Sequence, residues 1–143
     1  MRVFLDTNVL VAAFATRGLC ADVLRTVLAE HELLLSTTVI EELTRTLIEK
    51  IRVPEATARE IATFLRATAS FADAPPSPSP VVVRDPDDAV ILGEALVLGA
   101  DVLVTADKDL LEAGEVPGIR ILDPRGFAPE SPAASRPCSL AVV

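Results

Sequence analysis

The stretch RVFLDTNVLVAAF, residues 2–14, decides how the chain is read. Val3 to Leu5 form an apolar run, Asp6 interrupts it, and after Thr7 and Asn8 the apolar character resumes. The run reads as a short buried strand, and from about Asn8 to Thr16 the apolar spacing predicts a helix. A carboxylate at that junction is either a helix cap or a ligand group at the end of a buried strand. One carboxylate alone holds a hard dication poorly, so the ligand reading requires companion acids at the ends of other elements.

Working outward, Gly18 breaks the pattern and CADVLRTVLAE, residues 20–30, predicts a second helix. HELLLS, residues 31–36, is a short apolar run with polar bounds and predicts a strand. In TTVIEELTRTLIEKI, residues 37–51, Val39, Ile40, Leu43, Leu47, Ile48 and Ile51 recur at helical spacing. Thr38 and Glu41 have capping-box spacing at its start. PEATAREIATFLRATA, residues 54–69, opens on Pro54 and predicts another helix. The Pro/Ser-rich ADAPPSPSP, residues 72–80, divides the chain without marking a domain boundary, because the remainder of the chain is too small to fold alone. VVV at 81–83 predicts a strand, and Asp85 as cap with Pro86 at the first helical position predicts a helix after it. Further strands are expected at 102–104 and in IRIL, 119–122. Alternating short apolar strands and helices indicate an α/β fold, a mainly parallel sheet with helices on both faces. A domain over 1–124 and a poorly ordered tail over 125–143 are expected.

The chain has 143 residues, enough for one domain with a sizeable core, and half of them are apolar. Tyr and Trp are absent and Phe is scarce, which argues against a base-stacking surface. A formal net charge of −8 disfavours non-specific, backbone-driven nucleic-acid binding but permits clustered carboxylates neutralised by cations. Cys20 and Cys138 are too few and too far apart for a disulfide framework or a local metal motif, so two free thiols are expected. No signal-type segment or run of membrane-spanning length is present, so a cytoplasmic protein without a membrane partner is expected.

Four acids occupy related positions. Asp6 follows the first strand, Glu42 lies one turn into the helix after the second, Asp88 sits in the first turn after VVV, and Asp107 lies just past VLVT. In a parallel sheet all four converge at one edge, with Asp109 as a possible fifth. Each alone has a bland use as a cap or as a first-turn acid facing the helix dipole. Together they repel one another unless a cation intervenes. All-oxygen ligation suits Mg²⁺ or Mn²⁺, and the scarcity of soft ligands makes zinc a poor candidate. Thr7, Asn8 and Thr105 are short polar groups beside the acids that either orient a ligand or stabilise turns. His31 reads as a surface or interface residue rather than a catalytic base.

FLDTNVLVAAF, Glu42 within TTVIEELTRTL, RDPDDAVILGEAL and ADVLVTADKDLL, in this order, resemble the PIN-domain ribonucleases, and most closely the toxin components of bacterial toxin–antitoxin pairs. The resemblance covers the chain to about Pro124. It implies a three-layer α/β/α sandwich and an endoribonuclease dependent on Mg²⁺ or Mn²⁺. The family's acidic positions match Asp6, Glu42, Asp88 and Asp107, with Asp109 assisting, and its neighbouring polar positions match Asn8 and Thr105. It also implies a homodimer silenced by a small antitoxin. Arg45, Lys50, Arg52, Arg59 and Lys108 are candidates for a positive rim that contacts RNA, although scattered solubilising charge explains them equally well. Two rivals stand beside this reading. An aspartyl-phosphate phosphohydrolase calls for a second acid two residues after the first, where Asn8 stands. A PIN-like module retained only for protein binding fits the fold without using the acids. The isolated glycines form no phosphate-cradling loop.

Overall fold

The computed structural model describes residues 1–16, 18–72, 86–113, 115–116 and 118–127. Among the described residues six strands form one sheet: β1 (Arg2–Leu5), β2 (Glu32–Ser36), β3 (Ser70–Ala72), β4 (Val102–Val104), β5 (Glu115–Val116) and β6 (Ile119–Leu122). Their spatial order is β3-β2-β1-β4-β6-β5, and every pair is parallel except β5 with β6. Among the described residues seven helices accompany them: α1 (Thr7–Ala15), α2 (Leu19–Glu30), α3 (Thr37–Glu49), α4 (Glu55–Thr68), α5 (Pro86–Val97), α6 (Lys108–Ala113) and α7 (Pro124–Phe127), the last following β6.

The central strand explains why the opening stretch governs the fold. β1 pairs with β2 on one side and β4 on the other, so both of its edges are covered. Val3, Phe4 and Leu5 are fully buried, as a parallel strand between two helical layers requires. Burying each large side chain contributes about 1.5–3 kcal/mol. The chain moves outward from β1 through β2 to β3, then crosses back to β4 and onward to β6. Helices cover both faces, giving the three-layer α/β/α sandwich; with strand order running outward and then back, the right-handed rule for parallel connections assigns α1 to α4 to one face and α5 and α6 to the other. Strand order therefore reverses between β1 and β4, and ligand sites of open α/β sheets lie at the carboxyl ends of strands on either side of such a reversal.

The predicted helices and the strands at 2–5, 32–36, 102–104 and 119–122 form within a residue or two of their expected bounds. Two features differ. Ser70–Ala72, at the end of a helical stripe, becomes the edge strand β3 beside β2. The expected Thr38–Glu41 capping box does not form: the cap of α3 is Ser36, whose hydroxyl accepts from the Val39 amide at 3.3 Å. The Thr38 hydroxyl is engaged elsewhere, and Glu41 is exposed. Residues Pro124–Phe127 form α7, with Phe127 buried in the core and edge-on to His31. The expected strand at 81–83, the cap Asp85, Cys138 and the tail beyond 127 lie outside the described residues. Cys20 is a free, half-buried thiol whose burial pushes its pKa up. Among the described residues no single helix is long and apolar enough to cross a membrane.

Candidate active site

Asp6 stands where the reversal predicts a site. Its amide donates to the Val104 carbonyl at 3.0 Å, extending the β1–β4 ladder beyond Leu5. Its carbonyl accepts from the Val9 and Leu10 amides at 3.1 and 3.2 Å, opening α1. The backbone is thus committed in both directions, strand on one side and helix on the other, and the carboxylate is held rigidly between them. Asp6 is also the N-cap of α1, its Oδ1 accepting from the Thr7 amide at 2.7 Å. Cap and cleft acid are therefore not rival roles for this residue.

Oδ2 of Asp6 accepts from the Thr105 hydroxyl at 2.7 Å. Thr105 is fully buried, its amide donating to the Leu122 carbonyl at 2.9 Å and so prolonging the β4–β6 ladder. The Thr105 oxygen in turn accepts from the Asp107 amide at 3.0 Å, and Asp107 Oδ1 accepts from the Asp109 amide at 2.8 Å. On the other side the Thr7 hydroxyl donates to Glu42 Oε1 at 3.2 Å. Two threonines thus link three acids from distant parts of the chain, both at the Asp6 carboxylate: Glu42 through the Thr7 hydroxyl and amide, and Asp107 through Thr105.

The surroundings hold the Asp6 pKa above its ordinary value. Burial is the largest cause, and the charges of Glu42 and Asp107 add to it, while hydrogen bonds from Thr105 and Thr7 oppose it. Burial and like charges both disfavour a bare carboxylate, and a nearby cation reverses that balance. The acids open onto a cleft of about 310 Å³, lined among others by Asp6, Asn8, Glu42, Arg45, Lys50 and Asp107.

Of the expected residues, Asp6, Glu42, Asp107, Thr7 and Asn8 meet in this cleft, with Arg45 and Lys50 farther along the chain from Glu42. Thr105 and Asp109 support it from behind through the bonds above. Asp88 lies in the first turn of α5, and its side chain is outside the described residues. Arg52 and Lys108 are exposed and do not line the cleft. Arg52 ends the turn after α3 in the left-handed region at φ 65°, a backbone conformation that carries strain in a residue other than glycine. Arg59 pairs with Glu55 along α4. Sequence reasoning missed Thr46, Glu49 and Ile91 in the lining, because helical phase alone does not reveal which part of a face borders a cleft.

Among the described residues no three or more His, Cys, Asp or Glu side chains form a ready-made metal cage. The donor chemistry nevertheless fits Mg²⁺ or Mn²⁺. The acidic groups are oxygen donors, no imidazole or thiol lines the cleft among the described residues, and each anchored carboxylate oxygen keeps a lone pair. Mg²⁺ is usually held by one or two carboxylates and its own waters rather than by a closed protein cage.

A carboxylate-lined cleft at the switch point of a mainly parallel α/β/α sandwich defines the structural class. The chain belongs to the PIN-domain family, whose model matches residues 2–109. Two solved structures share its fold. VapBC2 from Rickettsia felis, bound to a DNA fragment from their promoter, superposes with a TM-score of 0.61 at 15% identity, covering 86% of this chain and 98% of that one. VapBC-1 from nontypeable Haemophilus influenzae gives 0.60 at 18% identity, covering 87% and 99%. No curated protein matches the chain.

Proposed function

We propose that this protein is a Mg²⁺- or Mn²⁺-dependent endoribonuclease and the toxin of a toxin–antitoxin pair. The observation that carries the reading is Asp6, a buried carboxylate held rigid at the sheet edge while facing two further acids across an open cleft. Asp6, Glu42 and Asp107 would hold the ion, with Asp88 joining from the start of α5. The bound ion would supply Lewis acidity at the phosphodiester.

The chain's own residues perform the remaining tasks. Thr105 and the Thr7 amide immobilise Asp6, so little reorganisation accompanies the reaction. Glu42 and Asp107 are half-buried, each with one oxygen anchored. Either has an oxygen left to take the proton of the attacking water. Arg45 and Lys50 hold backbone phosphates beside the acids, which lets an otherwise acidic chain retain RNA. Among the described residues no aromatic side chain lines the cleft, so the backbone, not stacked bases, is what it grips.

The likeness to VapBC proteins supports a small antitoxin as the silencing partner, and the homodimer belongs to the same reading. The reading is tested by RNA cleavage with Mg²⁺, Mn²⁺ or EDTA, comparing wild type with Asp6→Asn and Asp107→Asn. Cleavage should require the metal and both carboxylates. Activity that persists in EDTA, or survives both substitutions, overturns it. The lack of a preassembled cage among the described residues favours one second reading, a PIN domain retained for protein binding; an absence of cleavage with every metal and RNA class would support that instead.

A further inference from the structure

Glu94 has no part in the chemistry above, yet it is buried, with 7% of its surface exposed. It is the lone charge in AVILGEALVLGA, residues 89–100. A buried carboxylate is costly unless its oxygens are engaged. Both are: Oε1 accepts from the Ser36 hydroxyl at 2.8 Å and Oε2 from the Thr38 hydroxyl at 2.9 Å. Ser36 is the cap of α3, and its oxygen also accepts from the Val39 amide. One carboxylate on α5 thus grips the first turn of α3 through two hydroxyls.

The position of this grip matters. Thr38 lies one helical turn before Glu42, on the same face of α3. Glu94 lies one turn after Ile91, which lines the cleft beside Glu42. Asp88 occupies the start of the same helix. The two helices belong to opposite layers of the sandwich, and the bonds join residues 56 and 58 positions apart. We infer that Glu94 is a positioning residue: it clamps the start of α3 to α5 across the sheet edge and so sets the spacing of the acids those helices carry. The inference rests on the metal-dependent nuclease reading and deepens it.

The clamp needs hydrogen-bond acceptors and shape more than it needs charge. Glutamine retains one acceptor oxygen, and its amide can donate to the other hydroxyl. The test measures Mn²⁺ affinity directly, by the electron paramagnetic resonance of free Mn²⁺, alongside RNA cleavage and melting temperature. Glu94→Ala should weaken Mn²⁺ binding by ~10-fold or more, the usual cost of losing a group that orients a ligand. Glu94→Gln should restore it to within about threefold of wild type. In Glu94→Ala kcat should fall while KM for RNA, governed by Arg45 and Lys50, stays within about twofold. Thr38→Val, which leaves the Ser36 cap in place, should weaken Mn²⁺ binding by an intermediate factor, and it carries the test should Glu94→Ala not fold.

Wild-type Mn²⁺ affinity in Glu94→Ala or Thr38→Val overturns the clamp. So does a Glu94→Gln variant as impaired as Glu94→Ala, because the charge itself would then be the requirement. Wild-type protein that binds no Mn²⁺ overturns the nuclease reading and this inference together. Wild type that binds, with a Glu94→Ala variant that binds equally well, overturns this inference alone.

Discussion

Asp6 and Glu94 are both buried near the carboxyl end of the sheet, with 6% and 7% of their surfaces exposed. Each accepts two hydrogen bonds from the protein, Asp6 from an amide and a hydroxyl and Glu94 from two hydroxyls. What separates them is what lies beyond those bonds. Asp6 faces Glu42 and Asp107 across an open cleft, and burial together with those charges raises its pKa from the ordinary value. Glu94 is turned toward the capped start of α3, where the helix dipole favours negative charge. Equal burial and similar hydrogen bonding therefore accompany opposite surroundings. On the reading proposed above, a carboxylate left facing its own kind is the one that would take a cation, and one turned to hydroxyls at a helix start is a fastening.

The comparison breaks most visibly at the chemistry. Asp6→Asn and Asp107→Asn are each expected to lower RNA cleavage at least ~10²-fold, whereas Glu94→Gln should leave most of it. A comparable loss in all three, measured in initial-rate assays, would erase the distinction.

Stability should show the reverse order. Glu94→Ala removes the acceptor of two inward hydroxyls and should cost about 2 kcal/mol, lowering Tm by ~4–8 °C. Calorimetry of the metal-free protein checks this.

Asp6→Asn should instead stabilise the metal-free protein by about 1 kcal/mol, because it removes a destabilised charge while keeping the shape. The sign with pH comes from the raised pKa. The Asp6 contribution is fully present below the unfolded carboxyl's ordinary value of about 3.8 and is lost as pH rises through the elevated folded value. Denaturant titrations across that window should show this fall in metal-free wild type and a weaker one in Asp6→Asn. Mn²⁺ should raise the neutral-pH stability of wild type far more than that of Asp6→Asn.

The smallest effect lies at the rim. Arg45→Ala and Lys50→Ala should each reduce the slope of log affinity against log salt by ~0.7 for single-stranded RNA. Arg52→Ala, away from the cleft, should not. RNA titrations between low and moderate salt, using a variant inactive in cleavage, resolve the difference.

Much of the fold was legible because its signals are local. Val3–Leu5, Leu33–Leu35 and Val102–Val104 are apolar runs too short for helices, and α3 and α4 announce themselves by apolar spacing. Other elements take their identity from their neighbours. Ser70–Ala72 is a strand only because β2 offers an open edge. Glu115–Val116 is too short to carry any period and is held by β6. At the start of α3, Thr38 and Glu41 have the spacing of a capping box, but Glu94 on a distant helix takes the Thr38 hydroxyl and Ser36 caps instead.

The same division runs through the candidate site. The types of acid, their places after strands and early in helices, and the hard oxygen chemistry they imply were determined by the sequence, since a strand leading into a helix delivers the intervening residue to the sheet edge. Which groups share the cleft was decided by tertiary structure. Strand order set Asp6 beside Thr105, the wrapping of α3 brought Glu42 to Thr7, and the crossing of the chain put Glu94 against Ser36 and Thr38. The physical reason is that burial and like-charge proximity depend on three-dimensional distance. A linear pattern shows that a carboxylate stands at the end of a buried strand; packing alone determines whether it meets a hydroxyl or another carboxylate there.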